Sequence, residues 1–265
     1  MNKELLKEIV ADTLELVRRA AHPRKGTIAL SPETAALLER IQRESHGRSV
    51  DSEPGTVVEP AGAAGDAVER VQTLAEEVSA CTKCDLCQSR TQTVFSDGSP
   101  TADLVFVGEA PGYNEDEQGI PFVGRSGQLL TDIIVKGMQM RREDVYICNV
   151  IKCRPPENRD PTLEEKRQCE SYLIRQLELV RPKVICALGG HAAKTLLQTD
   201  ESTGRLRGKW HFYHGIPLRV TYHPAYLLRS PGEKRKTWDD VQEIMKVLRG
   251  EVAPEPPAGE QALWD

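Results

Sequence analysis

Three cysteines fall in the run Cys81-Thr-Lys-Cys84-Asp-Leu-Cys87, and two more, Cys153 and Cys169, follow in the segment with the clearest alternation of strand and helix signals. Thiolates in such numbers and spacing hold an inorganic centre, since sulfur is the preferred ligand of zinc and of iron–sulfur clusters. Ligands this far apart can share one centre only where the chain returns to one place, so residues near 81, 153 and 169 are expected to meet in space. The spacing alone also matches the opening of a ferredoxin run, but that run needs a further Cys followed by Pro, and position 91 is Thr. Zinc held by four thiolates is the alternative occupant. Cys148 and Cys186 sit inside apolar bursts, where a small buried hydrophobe is the expectation.

A second segment with chemical potential runs from Gly108 to Gly127 and reads GEAPGYNEDEQGIPFVGRSG. Its glycines follow a strand signal and open a helix signal, an arrangement that can bring backbone N–H groups close to an anion. The lysine of a phosphate loop is missing, and neither GxxxxGK[ST] nor GxGxxG occurs there, so a structural turn is the alternative for the glycines. Glu109, Glu115, Asp116 and Glu117 crowd the same loop and are candidates for acid–base work, Asp116 and Glu117 being also what a solvated loop would carry.

These segments need elements to position them. Apolar bursts at 104–107, 145–148, 184–188 and 218–222 alternate with helical stretches at 126–138, 162–179, 191–197 and 236–248. Short buried strands alternating with helices predict an α/β domain around a mostly parallel sheet. Ligands of such sheets bind at the carboxyl ends of the strands. The first, second and fourth bursts end in GEAPG, Asn149 and Tyr222-His223-Pro224, so those three loops are expected to converge on one pocket. Thr162-Leu-Glu-Glu165 after Pro161 has the form of a capping box.

The first 22 residues space their apolar side chains as an amphipathic helix, residues 23–65 read as a flexible linker rich in Gly, Pro, Ala and acid, and 250–265 as a disordered acidic tail. The domain proper is expected over 66–249, with a helix over about 66–78 leading into Cys81. No export signal is recognisable and no apolar run approaches the length of a membrane span, so the expectation is a cytoplasmic protein whose thiols are reduced. Net charge is −5, yet residues 81–249 carry 25 Lys and Arg against 22 Asp and Glu, a formal +3. The acidity lies in the flanks, and a mildly basic core is compatible with a small phosphate footprint.

Taken together, CTKC, GEAPGYNEDEQGIPFVGRSGQLL, CNVIKCRPPENRDP, the QCESYL cysteine and HPAYLLR resemble family 4 uracil-DNA glycosylases, the iron–sulfur branch of their superfamily, in order and over about 81–229. The fold this implies is three-layer α/β/α with a central, mostly parallel sheet of about four strands, a cluster-binding lobe and a helical N-terminal extension. The resemblance implies a [4Fe–4S] cluster on Cys81, Cys84, Cys153 and Cys169, with Cys87 left without an assigned role. It implies a uracil pocket built from Glu109, Ala110, Pro111, Phe122, Asn149 and His223.

The chemistry of those residue types fits that task, because excision requires an everted nucleotide, a stacked base, a read edge and stabilised charge. Phe122 would stack the base. The Asn149 amide would donate to uracil O4 and accept from N3–H, a pattern cytosine reverses. His223, aimed by Pro224, would donate to O2 as negative charge grows there. Glu109 and Glu115 are the carboxylates that could polarise water, Glu115 alternatively crowding C5 to exclude thymine. Lys152, Arg154, Arg159 and Arg229 are the expected phosphate contacts, and Leu227 and Leu228 the expected wedge into the stack. The expected function is therefore hydrolysis of the uracil–deoxyribose bond by a monomeric, monofunctional enzyme on single- or double-stranded DNA, associated with the nucleoid through it. The alternative is a non-catalytic iron–sulfur module that binds nucleic acid or another protein.

Overall fold

The computed structural model describes residues 61–256. The amphipathic helix expected at 1–22, nearly all of the linker at 23–65 and residues 257–265 of the tail lie outside them. Six strands form one sheet: β1 (Asp97–Gly98), β2 (Leu104–Gly108), β3 (Tyr146–Asn149), β4 (Val184–Leu188), β5 (Trp210–Tyr213) and β6 (Ile216–Thr221), in the order β1-β3-β2-β4-β6-β5. The four inner strands coincide with the four apolar bursts and pair in parallel, whereas β1 and β5 add to the two edges antiparallel. The expected count of about four is thus two short. Neither edge strand announces itself, since β1 is a residue pair and β5 a tetrapeptide of three half-buried rings and one buried one. A hairpin joins β5 to β6 through His214 and Gly215, both at positive φ (48° and 76°), as a primed two-residue turn requires.

Side chains alternate across the sheet. Val105, Val107, Cys148, Ile185, Ala187, Leu218 and Val220 feed one core, and Leu104, Phe106, Ile147, Val184, Cys186 and Leu188 feed the other. Both faces are therefore buried, which is why these strands read as unbroken apolar runs. Helices α1 (Ala61–Ser79), α4 (Leu163–Val180) and α5 (Gly190–Leu197) contribute to the first core. Helices α3 (Arg125–Asp132) and α7 (Lys234–Leu248) contribute to the second. Two short helices, α2 (Tyr113–Gln118) and α6 (Pro224–Arg229), sit in the loops after β2 and β6. Cys148 and Cys186, each fully buried, are packing residues of opposite faces.

Local signals explain most helix ends. Thr162 caps α4 through the reciprocal bonds Thr162 N to Glu165 Oε2 (2.7 Å) and Glu165 N to Thr162 Oγ1 (3.2 Å). The helix expected over 126–138 is α only to Asp132 and then widens into a π-turn, Ile133–Gly137. Helix α1 starts at Ala61, inside the stretch read as linker, because Ala-rich composition does not oppose helix. No helix among the described residues is long and apolar enough to cross a membrane.

Candidate active site and cysteine cage

The carboxyl ends of the four parallel strands frame one cavity of about 940 Å³. Glu109 to Gly112 come from the end of β2, Asn149 from β3, Leu188 to His191 from β4, and Tyr222 and His223 from β6. The loops after β2 and β3 are zipped together: Val150 N donates to Gly108 O (2.9 Å) and Ile151 N to Glu109 O (3.0 Å). Convergence of three loops is as expected. The contribution of the Leu188-Gly189-Gly190-His191 turn was missed, although a Gly pair at the end of a buried strand is itself a sign of close backbone approach.

Phe122 owes its place to an unusual backbone. Its φ is +55°, a left-handed conformation disfavoured for a large side chain, so the surroundings must over-determine it. Three of them do. Glu115 Oε1 accepts from both Val123 N and Gly124 N at 3.0 Å, Arg142 Nη2 donates to Pro121 O at 2.8 Å, and Gly127 lies so close to the Phe122 carbonyl that a Cβ there would overlap it. The ring is buried and faces His223 at 5.7 Å between centroids. Gly108 makes room for it, because a Cβ at that position would lie 2.6 Å from Phe122 Cζ and would also meet the Asn149 carboxamide.

Asn149 is 1% exposed, and its Oδ1 has no hydrogen-bond partner among the described residues. A buried acceptor left alone costs about 1–3 kcal/mol, so a donor brought to this oxygen would be favoured. His223 caps α6: its Nδ1 accepts from Ala225 N at 3.1 Å, which places the ring proton of a neutral imidazole on Nε2. Burial pushes this imidazole down to about 4, with the nearby Arg229 charge acting in the same direction. It is therefore a neutral donor near pH 7. Gly189, at φ +90°, admits the His223 Cβ where a side chain would collide.

The two candidate carboxylates separate. Glu115 spends Oε1 on the two backbone donors just named, so its first effect is to hold the Phe122 loop. Glu109 is 18% exposed, and its Oε1 lies 3.4 Å from Lys166 Nζ and 3.3 Å from His191 Nδ1, ion-pair distances without an aligned hydrogen bond. Burial raises the Glu109 carboxyl above the ordinary range despite these two neighbours. Of the two carboxylates, it is the one with accepting capacity to spare.

Among the expected DNA contacts, the structure makes two corrections. Lys152 is 1% exposed, its Nζ donating to Asn149 O (2.6 Å) and to Gln176 Oε1, so it cannot meet phosphate. Leu227 is 1% exposed and belongs to the core, whereas Tyr226 and Leu228 are the outward residues of α6 at 37% and 39%. Arg229 is exposed on the cavity wall. Arg159, also on that wall, is paired with Glu165 (2.6 Å), and Arg154 stacks over the exposed Tyr113 ring at 5.1 Å.

A second cavity collects Cys81, Cys84, Cys87, Cys153 and Cys169, so the three remote segments do meet. Zinc or an iron–sulfur cluster would each take four such thiolates. The cage is also cationic at its walls, where Lys83 and Lys152 stand beside Arg90, whose Nη1 donates to Cys153 Sγ at 3.1 Å. Burial pushes the Cys153 thiol up to about 11 and raises those of Cys84 and Cys169, so these groups would be thiolates only with a metal cation beside them.

Comparison with known families decides what this arrangement is. Residues 95–246 match the uracil DNA glycosylase superfamily. The chain belongs to that superfamily. Within it, the chain is 41% identical to the type-4 uracil-DNA glycosylase of Saccharolobus solfataricus, an alignment covering 68% of this chain and 88% of the relative. It is 42% identical to the type-4 uracil-DNA glycosylase of Archaeoglobus fulgidus over 67% of this chain and 92% of that one, and 41% identical to the Thermotoga maritima enzyme over 69% and 97%. The superfamily match begins at Phe95, beyond Cys81, Cys84 and Cys87.

Proposed function

We propose that this protein hydrolyses the bond between uracil and deoxyribose in DNA, releasing free uracil and leaving an abasic site. One observation carries the reading: buried Asn149, whose Oδ1 has no partner among the described residues, lines the same cavity as Phe122 and His223. A flipped base stacks on Phe122, and the Asn149 carboxamide accepts from uracil N3–H while donating to O4. Ala110 and Pro111 close the cavity along the base. As the C1′–N1 bond breaks, its electron pair passes into the uracil ring and collects on O2, where His223 Nε2–H donates. Such a preorganised donor is worth about 10²–10³ in turnover. Water adds to C1′ on the opposite face and gives its proton to Glu109. Glu115 contributes by keeping the stacking loop in place.

The same reading puts a [4Fe–4S] cluster on Cys81, Cys84, Cys153 and Cys169, four of the five cysteines that line the second cavity. When bound, the cluster supplies a rigid cross-link and a local negative charge. The wedge falls to Leu228 with Tyr226, and the phosphate contacts to Arg154, Arg159 and Arg229. The enzyme is read as a monomer that accepts uracil in single- or double-stranded DNA. A binding module without catalysis would have no use for an unpaired acceptor beside a neutral imidazole.

Incubating the protein with a uracil-containing oligonucleotide, single- or double-stranded, followed by alkali, should cut the strand at uracil. An intact strand after alkali, with iron present in the protein, would sink the proposal.

A further inference from the structure

Lys152 is a fully buried cation that excision as described does not use. Its Nζ donates to two neutral oxygens, Asn149 O at 2.6 Å and Gln176 Oε1, and no carboxylate pairs with it among the described residues. Gln176 is fixed in turn, its amide donating to Tyr146 Oη (2.8 Å) and to Phe95 O (3.2 Å). An ammonium group buried without an anion is strongly disfavoured, so the compensating charge must lie close by. The cysteine cage is what lies there. Lys152 lines it, beside Cys169, and is bonded in the chain directly to Cys153. One residue therefore lines the cage and touches the uracil-reading strand end with its side chain.

Resting on the glycosylase reading above, we infer that Lys152 is a positioning residue that couples the occupied cage to uracil recognition. The negative charge of the thiolate-bound cluster holds the ammonium in the interior, and the ammonium holds the Asn149 carbonyl. That bond fixes the end of β3 from which the Asn149 carboxamide projects into the cavity. The contribution falls on reading the base, since Lys152 does not reach DNA. It also runs in the other direction, because a buried positive charge beside a cluster makes the cluster easier to reduce.

The test compares the iron-loaded wild-type protein with Lys152→Met, which keeps the length of the side chain and removes its charge. Single-turnover excision of uracil should fall by about tenfold to a hundredfold, the range typical of residues that orient a site from behind. Inhibition by free uracil should weaken in parallel, while affinity for an abasic-site duplex stays within about twofold to threefold. The cluster's midpoint potential should move to a more negative value, a readout that a role in packing alone would leave in place. Wild-type excision at an unchanged potential overturns the inference. Should Lys152→Met not fold, Gln176→Leu removes the second anchor of Nζ, and wild-type excision with wild-type uracil inhibition by that variant overturns it equally. Wild-type protein that releases no uracil defeats the glycosylase reading itself, whereas an active wild type with indifferent variants defeats the coupling alone.

Discussion

At the scale of single residues, the proposed chemistry rests on atoms that the described residues leave without partners. His223 has one nitrogen committed to Ala225 and the other free, so replacing it with Ala removes the donor to uracil O2. Turnover of His223→Ala should drop about 10²–10³-fold while DNA affinity changes little, measured by single-turnover kinetics and by binding to an uncleavable analogue. Its depressed basicity also has a sign that can be checked. Protonating Nδ1 would set N–H against the Ala225 N–H, so the useful form is the neutral one, present above about 4 and lost below it. Glu109, raised by burial, must titrate on the higher side of that value, and it loses its proton-accepting role as pH falls. The acid limb of kcat/KM in the wild type therefore belongs to Glu109. In Glu109→Gln the residual activity should be lower at neutral pH, with its acid limb displaced toward about 4. An acid limb that stays put would assign it elsewhere. That Asn149 and His223 would line one cavity was readable because each stands where a strand signal ends, whereas Phe122, in a loop beyond α2, was singled out only by the resemblance. Lys152 and Leu227 were misread because burial depends on which way a side chain turns, and charge beside charge or Leu beside Leu carries no such direction.

At the scale of elements, two short pieces set the precision of the cavity. The loop between α2 and α3 holds Phe122 in a left-handed backbone, and the end of β2 must be bare for the ring to lie against it. Gly108→Ala should keep the fold and lose activity: overpacking costs typically about 1–3 kcal/mol, and here the displaced atoms are the Phe122 ring and the Asn149 carboxamide. A melting point lowered by a few degrees together with a large fall in excision is the expected pair of results. Helix α6 divides its neighbouring leucines between inside and outside. Leu227→Ala should cost about 2–5 kcal/mol of stability as a core truncation, whereas Leu228→Ala should leave the melting point nearly unchanged and reduce excision from duplex DNA more than from single strands. Equal effects on both substrates would remove Leu228 from the wedge. The four inner strands, the capping box of α4 and the convergence of loops were legible, since buried parallel strands and capping residues leave strong local patterns. The edges β1 and β5 were not, because a pair of residues shows no alternation and their pairing is set by neighbours distant in sequence.

At the scale of the whole molecule, the cysteine cage closes the chain on itself. Cys84 and Cys153 are 69 residues apart and Cys153 and Cys169 are 16 apart, so a group bound across them removes loop entropy from the unfolded chain. By analogy with covalent cross-links over loops of such length, the constraint is worth about 3–5 kcal/mol. The tied segments are the approach from α1, the strand β3 that ends in Asn149, and helix α4 whose Lys166 faces Glu109. Loss of the centre should therefore be felt in the active cavity as well as in stability. Cys153→Ser, or removal of iron by chelation under mild denaturant, should lower the melting midpoint by about 10 °C, given a few degrees per kcal/mol for a domain of this size. It should also depress uracil excision in the protein that remains folded. The same treatment of Cys87→Ser should match that of the wild type in iron content and midpoint, since four other sulfurs supply the ligands. A Cys87→Ser protein that loses iron while Cys81→Ser retains it would move the ligand set by one turn of the loop, and the path from cage to Asn149 would survive that change because Cys153, Cys169 and Lys152 stay where they are.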